Sequence, residues 1–216
     1  MKKTKGKLFG IAGILLAAFA LWTLAVQHID VQAIGPNGSS VGFAGLNGWV
    51  HDLTGVHMGL YVLTDWLGLV PIGFVLGFAV LGLVQWMRRR KLFRVDHDIL
   101  LLGGFYLLVL MLYLVFETVA VNARPVLIDG RLEASYPSST TMLVLCVMPT
   151  AMMQLRARIR NTKVRTIVLT ILAVFTACMV VGRLIAGVHW FTDIIGGVLL
   201  SAGLVALYDA TEKKMK

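Results

Sequence analysis

Long apolar segments alternate with short polar stretches along this chain, and their lengths are typical of helices that cross a membrane. The first apolar run covers residues 8–26, and a helix of about 20 apolar residues spans the ~30 Å hydrocarbon core of a bilayer. Five further segments follow, at residues 66–87, 99–121, 138–155, 166–185 and 189–208. The pattern therefore predicts an all-α, polytopic membrane protein of six transmembrane helices, in a single domain over residues 1–216.

Two regions of the pattern need separate interpretation. Residues 46–63 mix apolar side chains with His51, Asp52 and His57, which predicts a helix lying in the outer membrane interface. The lysine-rich start of the first apolar run also resembles a secretory signal peptide. Cleavage there would not change the sidedness of the later segments, and we expect the run to be retained as the first span.

Composition agrees with a membrane protein, because 58% of the residues are hydrophobic, only 14% are charged and the mean hydropathy is +0.82. In a soluble protein the net charge of +9 would suggest a nucleic-acid partner. Here seventeen of the twenty Lys and Arg residues fall in four stretches, 2–7, 88–94, 156–165 and 213–216. Cytoplasmic loops collect such residues, so both termini are predicted to be cytoplasmic, with the lipid bilayer of the plasma membrane and no nucleic acid as partner.

Three arginines lie outside these clusters, and therefore at the outer face: Arg124, Arg131 and Arg183. Glu133 shares a polar loop with the second of them, and both are expected to be solvated. Cys146 and Cys178 lie inside apolar segments without metal-ligand spacing, which predicts two buried free thiols. We expect neither a metal nor a cofactor.

Residues that could bind an anion or take part in catalysis lie at that outer face, at the ends of four predicted helices. The residues concerned are Arg124-Pro125 after the third span, Pro137 to Thr140 at the start of the fourth, Arg183 at the end of the fifth, and His189 with Asp193 at the start of the sixth. A guanidinium matches phosphate geometry, and the N-terminus of a helix favours an anion. We therefore interpret Arg124 and Arg183 as ligands for an anion.

In order and spacing these residues resemble the three signatures of the type 2 phosphatidic acid phosphatase (PAP2) superfamily. That superfamily also contains bacterial undecaprenyl-pyrophosphate phosphatases and vanadium haloperoxidases. Its signatures read Lys-x6-Arg-Pro, Pro-Ser-Gly-His and Ser-Arg-x5-His-x3-Asp. The matching residues here are Glu117-x6-Arg124-Pro125, Pro137-Ser138-Ser139-Thr140 and Gly182-Arg183-x5-His189-x3-Asp193. The resemblance covers the second half of the chain and implies a PAP2-like helical bundle.

The resemblance also implies a role for each matching residue. The phosphate would be bound by Arg124, Ser138, Ser139 and Arg183, together with the backbone N–H groups at a helix start. His189 would attack phosphorus and form a phosphohistidine that water later hydrolyses. Asp193, four residues further along the same helix face, would hold one ring N–H and leave the other nitrogen free to attack.

Two positions depart from the signatures. Glu117 replaces the lysine, and Thr140 replaces the histidine that serves the family as general acid. A threonine hydroxyl cannot protonate a departing alkoxide at neutral pH. Three explanations stay open: a diphosphate substrate whose leaving group needs little protonation, a protonated Glu117 that serves as the acid, or lipid-phosphate binding without turnover. An ion pair between Glu117 and Arg124 is the simplest structural role for this carboxylate.

These residues together predict a membrane lipid phosphatase, a hydrolase of phosphoric esters or anhydrides, with its active site on the extracytoplasmic side. The expected substrates are polyprenyl or glycerolipid (pyro)phosphates, the classes of undecaprenyl pyrophosphate and phosphatidic acid. The alternative is a catalytically weak or inactive membrane protein of the same fold that binds lipid phosphate. Positions 117 and 140 separate the two hypotheses.

Overall fold

The structure is a computed structural model that describes residues 2–215, with side chains for residues 6–215, and the described residues form eight α-helices. The helices are α1 (Lys2–His28), α2 (Ala44–Thr54), α3 (Met58–Leu67), α4 (Leu69–Arg89), α5 (His97–Thr118), α6 (Ser139–Arg158), α7 (Thr162–Ile185) and α8 (Phe191–Met215). Within these described residues no strand is present, and β-pairing is limited to isolated bridges such as that between Ala123 and Ala134.

Among the described residues, six helical segments are long and apolar enough to cross a membrane: α1, the α3–α4 unit Met58–Arg89, α5, α6, α7 and α8. The architecture agrees with the predicted all-α, six-span fold class. α3 and α4 form one nearly continuous span, because the N–H of Gly68 between them still bonds to Thr64 O at 3.1 Å. Pro71 lies in the first turn of α4, where a residue without an N–H is tolerated.

The single interfacial helix predicted over residues 46–63 is wrong in extent. α2 ends at Gly55, whose φ of 68° lies in the left-handed region that glycine adopts without strain. The second span then begins at Met58, not at residue 66. The polar residues that suggested an interfacial helix, His51, Asp52 and His57, all precede Met58, and residues 58–63 belong to the second span.

α6 and α8 form the centre of the bundle, because 50% and 56% of their span residues are buried, against 22% or less in the other spans. α1 packs along α8, and the close approach requires Gly203: a Cβ there would lie 2.8 Å from Leu16 Cδ2. Trp22 of α1 also donates its indole N–H to Thr192 O at 3.1 Å. The first helix therefore contacts the segment that carries the candidate site.

α7 presents apolar side chains outward, including Ile167, Ile171 and Val174. Cys178 lies on the exposed surface of this helix, whereas Cys146 of α6 is buried. The prediction of two buried thiols is therefore wrong for Cys178. In a membrane protein an apolar sequence context does not indicate burial against protein, because lipid tails solvate an outward-facing apolar surface equally well.

The basic clusters and the candidate site residues lie at opposite ends of the helices that connect them. α5 runs away from the cluster at residues 88–94 and ends before the loop that carries Arg124, and α7 runs away from the cluster at 156–165 and ends beside His189. The two groups of residues therefore lie at opposite ends of the bundle. The positive-inside rule predicts that the His189 end faces the exterior.

A cysteine introduced at exposed Leu132 should react with a membrane-impermeant maleimide in intact cells, because its loop lies at the His189 end. A cysteine at exposed Lys91, in the loop at the opposite end, should react only after permeabilisation. The parent protein, which retains Cys146 and Cys178, gives the labelling background. A reversed pattern would contradict the extracytoplasmic orientation of the site.

Candidate active site

His189 lies in the tight turn between α7 and α8 and is 3% exposed. The turn contains Gly187 at φ 68°, and a Cβ at this glycine would lie 1.9 Å from Gly55 O. Only glycine permits the turn to pack against the end of α2. This packing places the His189 ring inside the bundle rather than at its surface.

The two ring nitrogens of His189 have different partners. Nδ1 lies 2.9 Å from Ser135 Oγ, while Nε2 lies 3.0 Å from Arg183 Nη2 and 3.4 Å from Arg124 Nη1. The Ser135 hydroxyl donates its single proton to Asp193 Oδ2 at 2.5 Å. It must therefore accept a proton from Nδ1–H, which leaves Nε2 with a free lone pair facing the two guanidiniums.

Asp193 acts on His189 through Ser135, whereas direct contact with the imidazole was expected. Its carboxylate also accepts the Trp190 backbone N–H at 2.9 Å and the Asn122 side-chain N–H at 3.2 Å. The bond to Trp190 is the return half of a capping box, in which a carboxylate at the third helical position satisfies the N–H at the start of α8. The same carboxylate thus caps the helix and orients the hydroxyl that orients His189.

The pKa of His189 lies well below its ordinary value, first because burial disfavours the charged ring and then because Arg124 and Arg183 repel it. The imidazole is therefore neutral at physiological pH. A neutral ring with its proton on Nδ1 is the form that can attack an electrophile through Nε2.

The two arginines reach the histidine from different elements. Arg124 is 7% exposed and belongs to a loop whose strand-like pairing includes the bond from Arg124 N to Glu133 O at 3.0 Å. Arg183 is 1% exposed, lies in the last turn of α7 and donates from Nη1 to Thr64 Oγ1 at 3.3 Å. A pair of buried guanidiniums beside one imidazole is an arrangement suited to an anion with several oxygens.

The carboxylate paired with Arg124 is Glu133, with Oε2 3.1 Å from Nε and its side chain 40% exposed. The pairing is an ion pair without hydrogen-bond alignment. The expectation that Glu133 would be solvated is therefore wrong in part, and the ion pair suggested for Glu117 is formed by Glu133. The loop folds back on itself at Asp129 and Gly130, and this return brings Glu133 beside Arg124.

The residues of the second signature lie around the start of α6. Ser138 is buried, but its N–H donates to Asp193 O at 3.1 Å and its hydroxyl accepts from Thr141 Oγ1 at 3.0 Å. Ser139 and Thr140 are partly exposed in the first turn of α6. Ser139 lines a shallow hollow that also contains Glu117, which is exposed in the last turn of α5. Ser138 thus supports Asp193 through the backbone, while Ser139 and Glu117 lie at the margin of the site.

Four residues of this site carry no signal that the sequence patterns detect. Ser135 and Asn122 bond to Asp193, and Tyr61 and Thr64 of α3 contact the arginines. Single Ser, Asn, Thr and Tyr residues are common in loops and interfacial helices, and their distance in sequence from His189 is large. Only the packing of α3 and of the loop before α6 reveals them. Within the described residues, no group of three or more His, Cys, Asp and Glu side chains is arranged to hold a metal.

The sequence model of the PAP2 superfamily matches residues 105–214, which include Arg124, Arg183, His189 and Asp193. No curated protein matches the chain. Among solved structures, the chain is similar to the crystal structure described as the first transmembrane PAP2 type phosphatidylglycerolphosphate phosphatase from Bacillus subtilis, with a TM-score of 0.57 and 21% identity over 95% of this chain and 98% of that one. At this identity the likeness shows the fold.

Proposed function

The chain belongs to the PAP2 superfamily and is a multi-pass membrane protein, and on this premise we propose that it hydrolyses a lipid phosphate ester or anhydride through a phosphohistidine on His189. The active site would face the exterior of the plasma membrane. Polyprenyl or glycerolipid (pyro)phosphates are the proposed substrate class. The similar Bacillus subtilis protein is described as acting on a glycerolipid phosphate, which belongs to this class.

The observation that carries the proposal is the position of His189 Nε2, within 3.4 Å of guanidinium nitrogens from both Arg124 and Arg183. These N–H groups point at the nucleophilic lone pair. A phosphoryl group entering between them would take over the donors through its oxygens and meet the lone pair at phosphorus. The nucleophilic nitrogen of His189 and the two guanidiniums that would bind the anion therefore lie at the same place.

The proposed chemistry takes place in two steps. Nε2 attacks phosphorus, the bond from phosphorus to the leaving oxygen breaks, and the arginines stabilise the charge on the phosphoryl oxygens. The positive charge that develops on the ring is balanced through Nδ1–H, Ser135 and Asp193. Water then attacks phosphorus, the P–N bond breaks, inorganic phosphate leaves and Nε2 regains its lone pair.

Purified protein in detergent is expected to release phosphate from at least one member of a panel of polyprenyl and glycerolipid mono- and diphosphates. Rapid quenching with ³²P-labelled substrate is expected to trap a protein-bound phosphate that survives base and is lost in acid, as a phosphoramidate is. Release without a trapped phosphoenzyme would point to direct attack by water. Tight binding of the whole panel without release would favour the alternative, a lipid-phosphate-binding protein, for which the missing acid at Thr140 is the supporting observation.

A further inference from the structure

α3 contributes two residues to the arginine pair, although no PAP2 signature includes this helix. The Tyr61 ring lies under both guanidiniums, with its centroid 5.0 Å from Arg183 Cζ and 5.9 Å from Arg124 Cζ. Thr64, three residues later on the same helix face, accepts the hydrogen bond from Arg183. Both distances from the Tyr61 ring to a guanidinium fall within the range in which an aromatic face attracts a cation.

The position of α3 depends on its packing against the end of α7. The His57 N–H donates to Ala186 O at 3.0 Å, and a Cβ on Gly182 would lie 3.0 Å from Thr64 Cγ2. The PAP2 signature has a serine where this chain has Gly182. The absence of that side chain lets the Thr64 turn of α3 approach Arg183 closely.

The two arginines require such support because neighbouring groups do not balance their two positive charges equally. Nε of both buried guanidiniums has no hydrogen-bond partner, and among the ion pairs of the described residues Arg124 has one, with Glu133, whereas Arg183 has none. The two guanidiniums repel each other across His189 Nε2, and Glu117 occupies the position of the signature lysine. Binding of a phosphoryl group therefore depends on holding these two cations at a fixed separation before the anion arrives.

We propose that Tyr61 is a positioning residue of the phosphate site, whose ring holds Arg124 and Arg183 together so that both reach the same phosphoryl group. The inference rests on the proposed function and extends it to a helix outside the family signatures. An aromatic face offsets the mutual repulsion of the cations without adding a negative charge that would compete with phosphate. Its contribution should therefore appear mainly in anion affinity.

The experiment measures orthovanadate and inorganic phosphate binding to the purified full-length protein by calorimetry, alongside steady-state turnover. Tyr61→Leu is expected to weaken binding of both anions and to raise KM about tenfold, with a change in kcat below about threefold. Tyr61→Phe keeps the aromatic face and is expected to behave like the wild type. Trp66→Leu, which removes an exposed aromatic residue from the same helix, is the matched control and should change neither quantity.

Thr64→Val, of similar volume, tests the contribution of α3 independently of the ring and should weaken vanadate binding by about threefold. Melting temperatures identify a variant that is merely destabilised. Wild-type affinity in a folded Tyr61→Leu protein that turns over substrate would overturn the inference and leave the proposed function intact. Equal weakening by Tyr61→Phe would also overturn it. A wild-type protein that neither binds vanadate nor releases phosphate would overturn both.

Discussion

Replacement of His189 by alanine is expected to reduce turnover of every substrate to the uncatalysed background, a loss on the order of 10⁵–10⁶-fold, as when the nucleophile of a catalytic triad is removed. The free Nε2 of His189 lies within 3.4 Å of guanidinium nitrogens from both Arg124 and Arg183. No phosphoenzyme should be trapped from the variant. Anion binding should persist, because Arg124 and Arg183 remain. Phosphate release and ³²P trapping, measured together, check this result.

His28→Ala is the matched control, because His28 is exposed and bonds only within its own helix, to Leu24 O. Ser135→Ala provides an intermediate case: it removes the hydroxyl that joins Nδ1 to Asp193 and should lower kcat about 10²-fold or more. Phosphoenzyme that still forms in His189→Ala would identify a different nucleophile. Full activity of Ser135→Ala would mean that Asp193 orients His189 without the bridging hydroxyl.

The second large effect concerns the leaving group. Lipid diphosphates are expected to be hydrolysed about 10²–10⁴ times faster than the corresponding monophosphates, the range attributed to general-acid assistance. Thr140 offers no proton to a departing alkoxide, whereas the terminal phosphate of a diphosphate is expelled by a second phosphate that is a good leaving group without protonation. The ratio of kcat/KM values for a polyprenyl diphosphate and its monophosphate measures this effect.

Thr140→His is expected to narrow that ratio by raising monophosphate turnover, because it restores an imidazole at the position of the family's general acid. Thr140 is partly exposed in the first turn of α6, so the larger side chain has room on the open side. Thr140→Asn, which adds volume without an acid, is the matched control and should leave the ratio unchanged. Equal wild-type rates on both substrates would refute the leaving-group explanation and indicate Glu117 as the acid instead. Glu117→Gln would then abolish monophosphate turnover.

Asp193, which orients His189 in the proposed mechanism, also stabilises the fold at this end of the molecule. Asp193 caps α8 through Trp190 N, and its backbone oxygen accepts the N–H of Ser138 at the start of α6. The catalytic geometry is thus tied to the relative position of the two central helices. Tyr136, which follows Ser135 in the loop before α6, packs its ring against Gly196 of α8 and so holds Ser135 close to this helix. A rigid centre of this kind keeps the His189 ring in one orientation.

The sequence by itself predicted the number of spans, the separation of the basic clusters from the candidate site residues, and the location of Arg124, Arg183 and His189 at one face of the membrane. These conclusions depend on quantities that are local in the chain. The thickness of the bilayer sets the length of each apolar segment. The cost of moving cations across the bilayer keeps Lys and Arg in the cytoplasmic loops. The four-residue spacing of His189 and Asp193 is close to one helical turn, and the structure has His189 in the turn before α8 and Asp193 in the first turn of that helix.

Tertiary structure alone decided how the site is held together. The bridge through Ser135, the pairing of Arg124 with Glu133 and the contacts from Tyr61 and Thr64 all join residues that are remote in sequence or separated by a loop that folds back. The division of residues 46–63 at Gly55 likewise depends on the turn at Gly187, which packs directly against it. Hydropathy and spacing report on one segment at a time, whereas these contacts arise only when α3, the loop before α6 and the α7–α8 turn pack against one another.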